Sequence, residues 1–153
     1  MKLLRYALAT LLATMAMAAA DVSAKGKAVP SIYIFGFSAS FTDSVVYFTD
    51  VQKVDSAWID TKTKFLLGRD NYSYQLKNFL ADKRQEHNRT CLVVYGRTRK
   101  DAEKKYAKMK KLYIDKSKGM YDVRFINESD FKFLPIDMSY EIGDKVVQAP
   151  TAQ

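Results

Sequence analysis

The sequence contains little of the chemistry that most catalytic and metal sites require. Its 153 residues include one histidine, His87, and one cysteine, Cys91. Zinc sites use several His or Cys ligands, and nucleophilic triads need a histidine together with a recognisable motif around the serine or cysteine. We therefore expect no metal centre and no cofactor, we assign no catalytic residue, and we place His87 in an exposed loop.

A single cysteine also excludes an internal disulfide, the usual staple of small exported domains. The domain must then rely on its hydrophobic core, for which ten tyrosines and nine phenylalanines supply large side chains. Cys91 opens an apolar segment, so we expect a buried, inert thiol; a reactive or dimer-linking thiol is the alternative. The three prolines and six glycines form no low-complexity or repeated segment.

The first 24 residues have the pattern of a secretory signal peptide. Lys2 and Arg5 precede an apolar stretch, residues 6–20, and small residues follow it. The stretch is shorter than the ~20 residues of a membrane span. Cleavage is possible after Ala20 or Ala24, and we favour Ala24. We expect a periplasmic or secreted protein without a transmembrane span.

The chain is strongly basic, with 25 Lys and Arg against 17 Asp and Glu, a net charge of +8. Loss of Lys2, Arg5 and Asp21 with the leader would lower this to +7. The remainder has the size of one domain. We predict a mobile leader at 25–30, a globular domain at 31–138 and a disordered tail at 139–153.

The segment Thr90 to Tyr113 predicts a strand, a turn and a basic helix. Apolar residues 92–95 fit a central strand buried on both faces. Thr98 followed by Asp101 is typical of a helix start, which places the first helical residue near Arg99. A 3.6-residue period then predicts one core-facing side, made of Ala102, Tyr106, Met109, Leu112 and Tyr113.

The rest of the chain supplies the other elements of a mixed sheet. Further strands are predicted at 31–40, 45–54 and 121–126, a helix at 71–84, and a short edge strand at 131–136; 55–70 has no clean period and is predicted as a packed excursion. The fold class is α+β or α/β: a two-layer sandwich with one mixed sheet of four or five strands and two helices, in the order β-β-α-β-α-β.

Two features of the central segment predict anion binding. The turn lies where helix N–H groups and arginine donors favour an anion, although ordinary capping with solvated arginines also explains it. Its residues are Gly96, Arg97, Thr98, Arg99 and Lys100. The exposed side of the helix is the second feature, and a merely solvated face is its alternative. Its residues are Lys104, Lys105, Lys108 and Lys111.

The strand TCLVVYG with its amphipathic helix resembles the central unit of SPOR-type peptidoglycan-binding domains, which implies glycan binding. The resemblance covers residues 90–113 only, and no binding residue carries over. This chain departs from the SPOR pattern in two ways: the distance from Gly96 to Ala102 is short, and the predicted order of elements differs from the β-α-β-β-α-β order of those domains. The whole chain resembles small signal-peptide-bearing bacterial envelope proteins.

We expect an exported, non-enzymatic module whose partner is an envelope component, either anionic lipid, anionic glycan or a protein. Export argues against nucleic acid as a partner. Two alternatives stay open: a small hydrolase that uses paired carboxylates, and a structural subunit of an envelope assembly.

Overall fold

A computed structural model describes residues 26–140, which form one mixed sheet and two main helices. The strands are β1 (Gly26–Ala39), β2 (Val45–Thr49), β3 (Gln52–Asp60), β4 (Thr90–Gly96) and β5 (Asp122–Ile126), and the helices are α1 (Arg69–Arg84) and α2 (Arg99–Tyr113). The predicted signal peptide and nearly all of the predicted tail lie outside the described residues. The α+β class, the mixed five-stranded sheet and the predicted order of strands and helices are confirmed.

The long strand β1 lies in the middle of the sheet. Its C-terminal half pairs with β4 on one side, and on the other side it pairs with β3 and then β2, all antiparallel. β5 adds to the outer side of β2 in parallel, with Val46 opposite Val123 and Phe48 opposite Phe125. β4 and β5 are therefore strands at opposite margins of the sheet.

The two helices cover opposite faces of the sheet, which therefore forms the middle of three layers where the sequence predicted two. Ile34 of β1 belongs to the core that includes the buried face of α1. Its neighbour Phe35 points the other way and packs against Tyr106 of α2, with ring centroids 5.0 Å apart. Because successive strand residues alternate between faces, an apolar run through β1 supplies two cores at once.

The predicted second strand is divided and continues further than expected. It breaks between Thr49 and Gln52, and β3 then extends to Asp60. A turn follows, and Leu66 returns to form an antiparallel bridge with Ile59. Much of 55–70 is thus strand and hairpin turn. Ser56 has a φ of 56°. The buried positions are Gln52 and Val54 before it but Ala57 and Ile59 after it, so the alternation of buried and exposed residues is interrupted and the sequence does not show one continuous strand.

β4 is not the central strand that its apolar sequence predicted. Among the strands of residues 26–140 it pairs with β1 alone, and of its residues only Val93 and Gly96 are buried. Leu92 is 38% exposed. The strand at the centre is β1, because it is long enough to pair on both sides.

Two segments differ from their predicted roles. Residues 26–30, expected in a leader, form the start of β1 and pair with β3. Residues 131–136, expected as an edge strand, instead cross the face that holds α1 without joining the sheet. There the buried Gln52 donates to Phe131 O and accepts from Phe133 N, both at 2.8 Å. A side-chain amide thus takes the hydrogen bonds that a strand partner would provide.

Candidate functional site

The β4–α2 turn has the local geometry that its sequence predicted. Thr98 is the N-cap, and its Oγ1 accepts from the backbone N–H of Asp101 at 3.1 Å. Gly96 is buried because the chain folds tightly against it: a Cβ there would lie 2.6 Å from Ala102 N and 2.8 Å from Asp101 Oδ2. Gly96 is therefore explained by close packing of the helix start.

The positive end of α2 already holds a carboxylate of the chain itself. Asp101 lies in the first turn, and Lys105 Nζ is 3.0 Å from its Oδ2 and 2.8 Å from Tyr95 O. The guanidinium of Arg99 lies 5.1 Å from the Tyr33 ring centre and 3.6 Å from a Glu103 oxygen. An added anion at this turn would have to compete with these internal contacts.

The five residues predicted for the turn site are adjacent in space but differ in whether they could bind an anion. Gly96 is buried, and the four that follow it are exposed. Arg97 and Lys100 have no ion pair among the described residues, so they are the two cations of the turn that are free to meet a ligand. They adjoin the outward side of α2.

The outward side of α2 carries a row of lysines. The opposite side is committed to the core: Ala102 is buried, and Tyr106, Met109 and Tyr113 pack against Phe37, Val46 and Phe48. Leu112, predicted on the core-facing side, is instead 46% exposed. At 100° per residue, four exposed lysines lie together opposite the core and span about 16 Å of the helix axis. These residues, here called the lysine face, are Lys100, Lys104, Lys108 and Lys111.

The charges of the lysine face have no acidic partner within the described residues. Lys105, which the sequence analysis placed on the basic face, lies to one side and pairs with Asp101. Glu103 is exposed on the other flank beside Arg99. The positive row is therefore continuous, and acidic side chains stand only at its borders.

Sequence reasoning missed the most highly connected charged residue, Arg89. Its side chain is 1% exposed, and its Nη1 lies 3.0 Å from Glu86 Oε2 and 3.2 Å from Asp43 Oδ2. Nε donates to Ser38 Oγ at 3.3 Å, and Nη2 donates to the carbonyl of Val45. The surrounding segment, EHNRT, is polar throughout, so no sequence signal separates a buried arginine from a solvated one.

The Arg89 cluster extends towards β5 through Tyr47. The guanidinium stacks 5.0 Å from the Tyr47 ring centre, and the Tyr47 hydroxyl donates to Glu86 Oε1 at 2.9 Å. Burial, followed by the neighbouring Glu86, raises the pKa of Tyr47. Asp43 and Glu86 bind the same guanidinium nitrogen, so this pair of carboxylates fixes a buried cation and ties β2 to the segment before β4.

Four shallow grooves in residues 26–140 are lined by no pair of carboxylates. One, of about 640 Å³, lies between the start of α1 and β4 and includes Asp70 and Cys91. A neighbouring groove of about 450 Å³ adds Lys77 and Arg89 to the same two residues. Burial raises the pKa of the half-buried Cys91 thiol, which opposes thiolate formation. Two further grooves hold one acidic residue each, Asp115 and Asp137.

Within residues 26–140, no three His, Cys, Asp or Glu side chains are grouped closely enough to hold a metal ion. His87 is exposed in the loop before β4, as predicted. Nor is any helix of this part of the chain both long and apolar enough to cross a membrane. Comparison with protein-family models, curated proteins and solved structures finds no match to this chain.

Proposed function

We propose that the protein is an exported, non-enzymatic module that binds an anionic surface of the cell envelope through the lysine face of α2. The observation that carries the proposal is the row formed by Lys100, Lys104, Lys108 and Lys111, which are exposed and have no acidic partner among the described residues. Phosphate groups of lipid or lipopolysaccharide head groups are the ligands whose negative charge suits it.

The packing of α2 favours binding at the surface without insertion. Its apolar side chains, among them Tyr106 and Tyr113, are engaged with Phe35 and Phe37 of the sheet. An interfacial helix must instead give its apolar side to the acyl boundary. Attraction would then be electrostatic, with each lysine near an anionic membrane contributing on the order of 1 kcal/mol. Arg97, exposed in the turn before α2 and without an ion pair in residues 26–140, adds another cation near the start of this helix.

Vesicle binding tests the proposal. The triple variant Lys104→Glu, Lys108→Glu, Lys111→Glu is compared with the unchanged protein on vesicles containing phosphatidylglycerol and on lipopolysaccharide, at low and at physiological salt. We expect binding to weaken at least about tenfold in the variant and to fall with salt. Lys105 is left unchanged, because it pairs with Asp101 at 3.0 Å and its loss would disturb the helix start.

A matched control distinguishes binding through the lysine face from a general effect of the protein's net charge. The triple variant Lys27→Glu, Lys62→Glu, Lys77→Glu changes the net charge equally at exposed positions away from α2. We expect it to keep most of the binding. Equal losses in the two variants, or binding unaffected by salt, would refute a role for the lysine face.

Export is a separate part of the proposal. The basic n-region, the apolar stretch and the small residues before Ala24 support a cleaved leader. Intact-mass measurement of the protein in the envelope or medium should give a chain that begins at Lys25. Retention in the cytoplasm with residues 1–24 attached would contradict it.

A further inference from the structure

The outer side of β5 is an open strand edge. β5 lies at the margin of the sheet, and no other strand of the described chain pairs with its outer side. The side chains around this edge are also exposed: Phe125 by 46%, Met120 by 68% and Tyr121 by 36%. An unpaired strand flanked by apolar side chains is a template for another strand.

Two hydrogen bonds determine which backbone groups of β5 face outward. Asp122 N donates to Ser44 O at 3.0 Å, and Ile126 O accepts from Asp50 N at 3.1 Å. In a parallel ladder, a residue that bonds to its neighbour strand alternates with one whose N–H and C=O point away. Asp122 and Ile126 therefore point towards β2, and the N–H and C=O groups of Val123 and Phe125 point towards the open side.

These outward groups fit an antiparallel copy of the same strand. In such a pair, residues whose N–H and C=O face each other exchange both hydrogen bonds. Val123 opposite the second copy's Val123 meets that condition, and the same register places Phe125 opposite the second copy's Tyr121, the residue that immediately precedes β5. The aromatic side chains exposed in one copy would then cover one another across the junction.

The charges of Asp122 and Arg124 favour this register over the registers that are shifted by two residues. With Val123 on the two-fold axis, Asp122 stands opposite the second copy's Arg124, and the same pair recurs by symmetry. A shift by two residues in one direction would oppose the two Arg124 side chains, and in the other direction the two Asp122 side chains. Opposite charges across a strand pair are favourable and like charges are not. Both side chains are about half exposed, 51% for Asp122 and 50% for Arg124. They bridge each other at 2.7 Å within one copy, and the dimer would exchange this bridge for two bridges between copies.

We propose that β5 is a self-pairing strand through which two copies of this chain form a symmetric dimer, with Asp122 of each copy paired to Arg124 of the other. The two-fold axis of an antiparallel strand pair runs perpendicular to the sheet. Both α2 helices would therefore lie on the same face of the joined sheet, and their lysine faces would point the same way. Such an arrangement doubles the contacts available to an extended anionic surface.

Sedimentation equilibrium of the purified full chain over micromolar concentrations tests the pairing. We expect a monomer–dimer equilibrium in the unchanged protein. Arg124→Asp and Asp122→Arg each oppose like charges at both symmetric positions, and each should weaken dimerisation about tenfold. The double variant Asp122→Arg, Arg124→Asp exchanges the charges and should restore the dimer.

Arg97→Asp is the matched control, because it reverses one exposed charge beside the opposite margin of the sheet and should leave dimerisation unchanged. Circular dichroism and thermal melting establish that each variant is folded. A monomer at every concentration would overturn the proposal. So would a dimer that is insensitive to Arg124→Asp, or a double variant no better than the single ones.

Amide hydrogen exchange gives an independent readout of the register. On raising the concentration, the amides of Val123 and Phe125 should become protected, because they face the second copy. The amides of Asp122 and Arg124 should change little, since they already point towards β2. Protection gained equally by all four amides, or by none, would reject this register.

Discussion

Arg89 and Glu86 form a partly buried ion pair, with Arg89 Nη1 3.0 Å from Glu86 Oε2. The arginine is 1% exposed, whereas the glutamate side chain retains 25% exposure. The guanidinium also meets Asp43 and the carbonyl of Val45, so its charge and hydrogen-bonding capacity are used internally. The cluster links the turn after β1, β2 and the segment that leads into β4.

Arg89→Met should destabilise the protein by about 3 kcal/mol, because it leaves two carboxylates close together without their shared cation. Chemical denaturation followed by circular dichroism measures the change. Arg84→Met is the matched control: its exposed pair with Asp130, at 3.6 Å, should contribute less than about 0.5 kcal/mol. Equal effects of the two substitutions would show that burial of Arg89 contributes nothing to stability.

Gln52→Ala should destabilise the fold by about 2–3 kcal/mol. It removes both partners of the 131–133 backbone and leaves a buried N–H and C=O unsatisfied. Gln75 provides a built-in comparison, since its amide makes the same two-point contact with the backbone of Leu134 in an exposed setting. Gln75→Ala should lower the free energy of unfolding by less than 1 kcal/mol. A reversed order would contradict the role assigned to burial.

Gly96→Ala should be more damaging than Gly36→Ala, although both glycines are buried. At Gly96 the new methyl group would meet a backbone nitrogen, Ala102 N, at 2.6 Å. At Gly36 its nearest neighbour would be the end of a side chain, Leu76 Cδ2, also at 2.6 Å, which can rotate away. We expect a loss above about 3 kcal/mol for the first and about 1–2 kcal/mol for the second. Thermal melting of both variants tests the order.

The Cys91 thiol should react slowly with iodoacetamide at neutral pH. Burial raises its pKa above the ordinary value of 9.0, and the thiolate is the reactive form. The reaction rate of the folded protein should therefore keep rising with pH beyond the point where the same thiol, unfolded in guanidinium, has reached its plateau. A folded-state plateau at lower pH than the unfolded one would show an activated cysteine instead.

The raised pKa of this thiol also predicts how the stability of the fold changes with pH. Because the folded state disfavours the thiolate, stability is greatest below the unfolded pKa and declines as the pH rises from that value through the folded one. Cys91→Ala should remove this part of the alkaline loss. Denaturation at neutral and alkaline pH, with and without the substitution, measures it.

The sequence determined the features that depend on neighbouring residues. The start of α2 at Arg99 follows from Thr98 and Asp101, whose contact closes within one turn. The buried side of α1 follows from the spacing of Tyr72, Leu76 and Leu80, and the lysine face follows from helical periodicity. Such patterns act over a few residues, so the helix and its two main sides form as predicted, although Leu112 is exposed and Lys105 pairs with Asp101 at the border of the basic side.

Tertiary structure alone decided the rest. An apolar strand can occupy the centre or the margin of a sheet, and only pairing assigned β1 to the first and β4 to the second. Burial of Arg89 depends on Asp43, far away in the chain, and burial of Gln52 depends on the segment that begins at Phe131. The open edge of β5 likewise exists because its only strand partner, among the described residues, is β2. These outcomes rest on contacts between distant segments, which no local pattern of residues specifies.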